Sequence, residues 1–181
     1  SFAARHTSTV VNSLNTMVAD LDTDELADVV NLLATAGSVK LVGVLSGRIM
    51  VDYMAHIAGL ISPNWSVIGG DAMSVANDLA DIGRDTVVLA VSVAPYSSRS
   101  TQLIDIAAKA GATVIAITDD MRSPFIAASD HSFLVPTNSL NHFPSHTAIL
   151  TLLEIVGGMV VRRLDDGASK RIDKVEKLSR L

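Results

Sequence analysis

The sequence predicts an α/β protein: a three-layer αβα sandwich with helices on both faces of a five-stranded parallel sheet, plus further helices at each terminus. Three observations predict it. Short, apolar, β-branched runs alternate with helical stretches of ten or more residues, as βαβ units require. Those runs are apolar at successive positions, as strands buried on both faces must be. Burial also rests on aliphatic side chains, since 49% of the 181 residues are hydrophobic but only 4% aromatic. That composition excludes wholesale disorder, and the length suits one core.

Taken in order, a helix is expected over about Ala3 to Leu21, where Leu14, Met17, Val18 and Leu21 recur at helical spacing. A second carries Leu26, Val29, Val30 and Leu33, capped by Asp22 or Thr23 and stopped by Gly37. Val39 to Leu45 is a buried strand, followed by Ser46-Gly47-Arg48 and a helix from near Ile49 to Leu60. Trp65 to Ile68 is a short strand closed by Gly69-Gly70, and Ala72 to Ile82 a helix. Thr86 to Ser92 is apolar and β-branched, the clearest strand. A polar segment, Ala94 to Ser100, leads into a helix with Leu103, Ile106, Ala107 and Ala110 on one face and Gly111 at its end. Thr113 to Thr118 and Asp130 to Val135 are strands, and Ser145 to Arg163 is a long helix. Three stretches result: packing helices over 1–38, the ligand-binding domain over 39–163, and a charged helix over 164–181.

Charge and composition exclude several functions. The net charge is −5, but it is uneven. The first 161 residues hold 7 basic and 15 acidic groups, a net of −8. The rest holds 7 basic and 4 acidic, a net of +3. An acidic body is no nucleic-acid surface. The tail reads as a solvated amphipathic helix with Ile172, Val175 and Leu178 on one side. Cysteine is absent, which removes disulfides, thiolate metal sites and Cys nucleophiles. Ala148 to Val161 is apolar but too short for a membrane span and carries Glu154. No signal-peptide pattern opens the chain, so a cytoplasmic protein is expected. Opening on Ser1 rather than Met, the chain is expected to be a shortened or a processed product.

In open parallel sheets ligands bind beyond the carboxyl ends of the strands. The loop after the third strand holds Ser92, Tyr96, Ser97, Ser98, Arg99, Ser100 and Thr101 within ten residues, and a helix starts inside it. Unpaired N–H groups and a partial positive charge at that helix start suit an anion such as phosphate, and hydroxyls add donors. One serine would be plain capping; the cluster points to an anion site. The first loop, Gly43-Val44-Leu45-Ser46-Gly47-Arg48, offers close backbone approach at Gly47 and a cation at Arg48. It is neither a dinucleotide fingerprint nor a P-loop. A general base for catalysis would come from His142, His146 or Glu154. His142 and His146 are four apart, but Pro144 between them breaks a shared helix face, so no metal site is expected.

Several motifs together resemble the SIS (sugar isomerase) domain, in particular that of RpiR-type bacterial transcriptional regulators. They are KLVGVLSGR at 40–48, VVLAVSVAPYSSRST at 87–101, the AxxxGA turn at 107–112, the IAITD strand end, Ser123-Pro124, and the D-x-x-x-x-V-P strand. The resemblance covers roughly Lys40 to Arg163. It implies a flavodoxin-like fold that binds a sugar phosphate or related sugar acid as a homodimer or tetramer, without cofactor. It implies ligand contacts from Ser46 and Gly47 and from Ser92, Ser97, Ser98 and Ser100, with Thr118 and Asp119 at the next strand end; Arg48 and Tyr96 join these candidates from the loops read above. The implied role is the effector-sensing half of a regulator whose helix-turn-helix precedes this chain and alone contacts DNA. A stand-alone phosphosugar isomerase is the alternative.

Two departures from the family pattern stand out. Leu45 replaces the second glycine of Gly-x-Gly-x-Ser, with Gly47 at its serine, and Ala94-Pro95 replaces the Ser-Gly of the second loop. The pocket is therefore expected to be a variant of the family's.

Overall fold

The computed structural model describes residues 1–164 and 166–180. Asp165 and Leu181, both in the expected charged tail of 164–181, lie outside the described residues. The elements are α1 (Phe2–Asp20), α2 (Thr23–Thr35), β1 (Ser38–Val42), α3 (Ser46–Ile61), β2 (Trp65–Val67), α4 (Ala72–Ala80), β3 (Thr86–Ser92), α5 (Ser98–Lys109), β4 (Thr113–Thr118), β5 (His131–Leu134), α6 (Thr147–Leu164) and α7 (Asp166–Leu178). A 3-10 turn, Ile126–Ala128, precedes β5.

All five strands run parallel in the order β2-β1-β3-β4-β5. Their alternation sorts the core into two halves. Val39, Leu41, Val87, Leu89, Val91, Ile115 and Ile117 face one side, where they meet α1, α2, α3 and α6. Val42, Val88, Ala90, Val114 and Ala116 face the other, against α4, α5 and Phe125. Every residue of β3 is buried, as the central strand of such a sheet must be. Lys40 of β1 ties α4 to the sheet, its Nζ 3.0 Å from both Ser66 Oγ and Asp78 Oδ1.

Local chemistry sets the helix ends. The Asp22 carboxylate accepts from the Asp24 and Glu25 amides and caps α2. Gly37 does not end α2 as a left-handed cap. The helix stops at Thr35, and the Gly37 amide instead donates to the Asp85 carbonyl at 3.0 Å, leading into β1. Gly111 does take a left-handed turn, with φ +93, directly after α5.

Other sequence expectations are corrected. β1 stops at Val42 rather than Leu45, and α3 starts at Ser46 rather than Ile49, because Leu45 turns the chain at φ 54. The inward stripe of α5 is Ser100, Leu103, Ile104 and Ala107, while Ile106 is 46% exposed. Both registers fit a 3.6 period, and the polar Ser100 hid the true one. On α7, Ile172 and Val175 are half-buried but Leu178 is exposed. The Arg171 guanidinium donates twice to the Gly59 carbonyl, at 3.2 and 3.0 Å, and so fastens α7 to the end of α3.

Candidate functional site

Strand order singles out one crevice. From β1 the chain proceeds outward to β2, and from β3 it proceeds the other way, so the topological switch lies between the carboxyl ends of β1 and β3. From those ends the first loop enters α3 on one face of the sheet, and the loop after β3 enters α5 on the other. The start of α3 touches the end of β3. A Cβ at Gly47 would collide with the Val91 carbonyl, and one at Gly43 with the Gly47 carbonyl. Only glycine at both positions allows this approach.

Across the crevice Ser92 and Thr118 are register partners on β3 and β4. Ser92, Ser100 and Thr118 are buried. The Ser100 and Thr118 hydroxyls have no hydrogen-bond partner, an unusual state for buried polar atoms. Ser97 is the N-cap of α5 with extended backbone, yet its side chain makes no capping bond. The hydroxyl that plain capping would have consumed is therefore free. Ser46 is half-buried in the first turn of α3, and Ser98 is exposed. Tyr96 donates to Asp119 Oδ1 at 2.8 Å, and the Ala94 amide donates to Asp119 Oδ2 at 3.3 Å. Burial and the bond to this carboxylate raise the phenol's pKa. Asp119 thus holds the loop's shape.

The structure therefore gathers Ser46, Gly47, Ser92, Tyr96, Ser97, Ser98, Ser100, Thr118 and Asp119 around the carboxyl ends of β1, β3 and β4. Arg48 lies at the rim, its Nε 2.7 Å from Asp52 Oδ1 and its guanidinium against Gly69. Arg48 and Arg99 both line a cavity of about 240 Å³ bounded by Gly43–Leu45 and the Gly69-Gly70 turn. Arg99 was not among the residues assigned from the sequence. Its signal was present, for a basic residue in the first turn of a helix opposes the helix dipole. A second cavity, of about 300 Å³, lies beside β5. Asp20, Asp22 and Glu25 border it, which does not suit an anion.

His146 immediately precedes α6, with Nδ1 buried and unpartnered. Burial lowers its pKa, and the Asp119 carboxylate acts in the opposite direction. His142 is exposed in the preceding loop. Glu154 accepts from the Tyr53 hydroxyl at 2.6 Å on an exposed surface. His131 faces Glu25 at 3.5 Å, and His56 is exposed on α3. Among the described residues, no group of three His, Asp or Glu is placed to hold a metal, and no helix is long and apolar enough to cross a membrane.

A five-stranded parallel sheet with a crevice at its switch point defines the class of open α/β domains. The family model of the SIS domain matches residues 32–161, so the chain belongs to the SIS-domain family. Its fold is similar to that of the sugar isomerase domain of an RpiR transcription factor from Sphaerobacter thermophilus. The TM-score is 0.90 at 18% identity, covering 97% of this chain and 98% of that one. It is similar to the Vibrio vulnificus NanR protein, solved in complex with ManNAc-6P. There the TM-score is 0.86 at 17% identity, covering 98% of this chain and 68% of that one. A hypothetical protein from Methanococcus jannaschii, inferred to be a 3-hexulose-6-phosphate isomerase, has a TM-score of 0.77 at 14% identity, with coverage of 94% and 96%. No curated protein matches the chain.

Proposed function

We propose that this SIS domain is the effector-sensing part of an RpiR-type bacterial transcriptional regulator. It binds a sugar phosphate, or a related anionic sugar, at the carboxyl ends of the strands. The observation that carries the reading is the Ser97 hydroxyl at the N-terminus of α5, which makes no capping bond. A phosphate oxygen would accept from that hydroxyl, and the helix N-terminus favours its charge. Ser46 and the Gly47 backbone close the crevice from the first loop. The likeness to an RpiR domain and to NanR supports the regulator over other SIS proteins. In this reading the chain acts in the cytoplasm as a homodimer or tetramer and contacts DNA only through a preceding helix-turn-helix. A ligand preferring one arrangement of the subunits shifts the population, and with it DNA affinity.

The test is calorimetric titration and thermal melting against a panel of sugar phosphates. At a hundredfold excess over Kd, binding stabilises by about 2.7 kcal/mol. Joint Ser97→Ala and Ser98→Ala substitution should abolish that gain. Indifference of the wild type to every anion, or full binding by the double variant, removes this site. Coding sequence upstream without a helix-turn-helix removes the regulator.

His146 favours a second reading, an aldose–ketose phosphosugar isomerase. A half-buried imidazole with a lowered pKa is neutral at pH 7 and can accept a proton. Sugar-phosphate turnover that disappears in His146→Asn would establish the enzyme.

A further inference from the structure

The cavity between the first turns of α3 and α5 is lined by two cations, of which only Arg48 has an internal partner, Asp52. The first 161 residues hold only seven basic side chains, and two of them, Arg48 and Arg99, line this one space. None of its lining residues is acidic. Two helices start as the dipole prefers, whereas α1 and α6 begin without an acidic residue. Asp22, Asp24 and Glu25 open α2, and Asp71 caps α4. By contrast α3 and α5 have no acidic residue in the first turn and carry Arg48 and Arg99 there. Each guanidinium sits at the positive end of its own helix, an arrangement unfavourable in the empty protein. Asp52 meets one edge of Arg48. Arg99 has no hydrogen bond or ion pair among the described residues. The contact with Gly69 holds Arg48 over the space.

We propose that this cavity is a second anion subsite, taking a carboxylate of the same ligand whose phosphate lies at Ser97. The inference rests on the phosphosugar reading above and narrows it. The ligand class becomes a phosphorylated sugar acid, anionic at both ends, rather than a neutral sugar phosphate. Guanidinium groups match a carboxylate with paired, charge-assisted hydrogen bonds. About 240 Å³ accommodates a carboxylate and its neighbouring carbons.

The experiment is calorimetry with two linear probes that differ only at C1, 6-phosphogluconate and glucitol 6-phosphate. Wild type should bind 6-phosphogluconate about tenfold tighter or more, as one charge-assisted contact supplies. In Arg99→Gln, and further in Arg48→Gln with Arg99→Gln, that ratio should fall toward unity. Ser97→Ala should weaken both probes by the same factor. Melting of the empty proteins is the folding control, and Arg99→Gln should melt no lower than wild type because it removes an unfavourable charge. Equal wild-type affinities, a ratio that survives the double substitution, or a lower melting point in Arg99→Gln would overturn the subsite. If neither probe binds at millimolar concentration while another sugar phosphate does, the subsite falls and the phosphosugar reading stands; if no sugar phosphate binds, the phosphosugar reading itself falls. Normal binding of glucitol 6-phosphate without a carboxylate preference removes only the subsite.

Discussion

Leu45 holds φ 54 and ψ −129, a backbone region that belongs to glycine. Its side chain is 67% exposed, so packing there does not offset the strain. Leu45→Gly should therefore stabilise the protein. Relief of about 1–3 kcal/mol of strain outweighs the roughly 0.4–1 kcal/mol of extra unfolded-state entropy. The melting temperature should rise by about 2–4 °C per kcal/mol, and a fall would mean the conformation is unstrained. The strained residue stands where the family pattern has its second glycine, so the departure was legible and its conformation was not. His146 makes a pH prediction. Unfolded, it titrates near 6.5; burial lowers that value in the native state. Between the two values the unfolded chain binds more protons, so stability rises with pH there. The contribution is complete above 6.5 and is lost as pH falls through the native value. An NMR titration should place the midpoint below 6.5, and the dependence of urea midpoints on acid should weaken in His146→Asn. A midpoint at or above 6.5 contradicts the burial argument.

At the scale of elements, α5 shows a conflict between stability and binding. Its N-cap Ser97 has extended dihedrals, φ −89 and ψ 126, but forms no cap bond. An aspartate there would cap well and complement the dipole. Ser97→Asp should stabilise the empty protein by about 1 kcal/mol. The same carboxylate would occupy the anion position and repel phosphate. The expected result is a higher melting point without ligand and no shift with glucitol 6-phosphate. A variant that gains stability and still binds would detach the helix N-terminus from the site. The inward face of α5 shows what periodicity left unread. Ser100 is assigned to the site from the sequence, but the stripe of Leu103, Ile106, Ala107 and Ala110 does not include it, and it is fully buried. Hydrophobic periodicity finds apolar faces, and a binding site is where a polar residue is turned inward. Strands β3 and β4 were legible to the residue because both faces of each are apolar.

For the whole molecule, alternating strands and helices imply parallel pairing but not strand order, so the first and third loops are picked from the sequence by their residues alone. The order β2-β1-β3-β4-β5 supplies the reason they belong together, at the crevice between β1 and β3. Charge, in contrast, needs no fold to be read, and it carries the last prediction. The body is −8 over 161 residues, and the compensating +3 lies in the segment that includes α7. On α7 the exposed Lys170, Lys174 and Lys177 are interspersed with Asp173 and Glu176. Non-specific duplex binding needs several cations released together onto phosphates, and typical values are about 10⁻⁴–10⁻⁶ M at physiological salt. Two arginines at the strand ends are occupied by a small ligand in the proposed reading, and the remaining surface repels DNA. This chain should therefore bind a random duplex more weakly than about 10⁻⁴ M at physiological salt. Removing α7 should change nothing measurable by fluorescence anisotropy. Micromolar binding by the chain would mean that α7 reaches the duplex. The division between a segment that contacts DNA and a domain that reads the metabolite would then have to be redrawn.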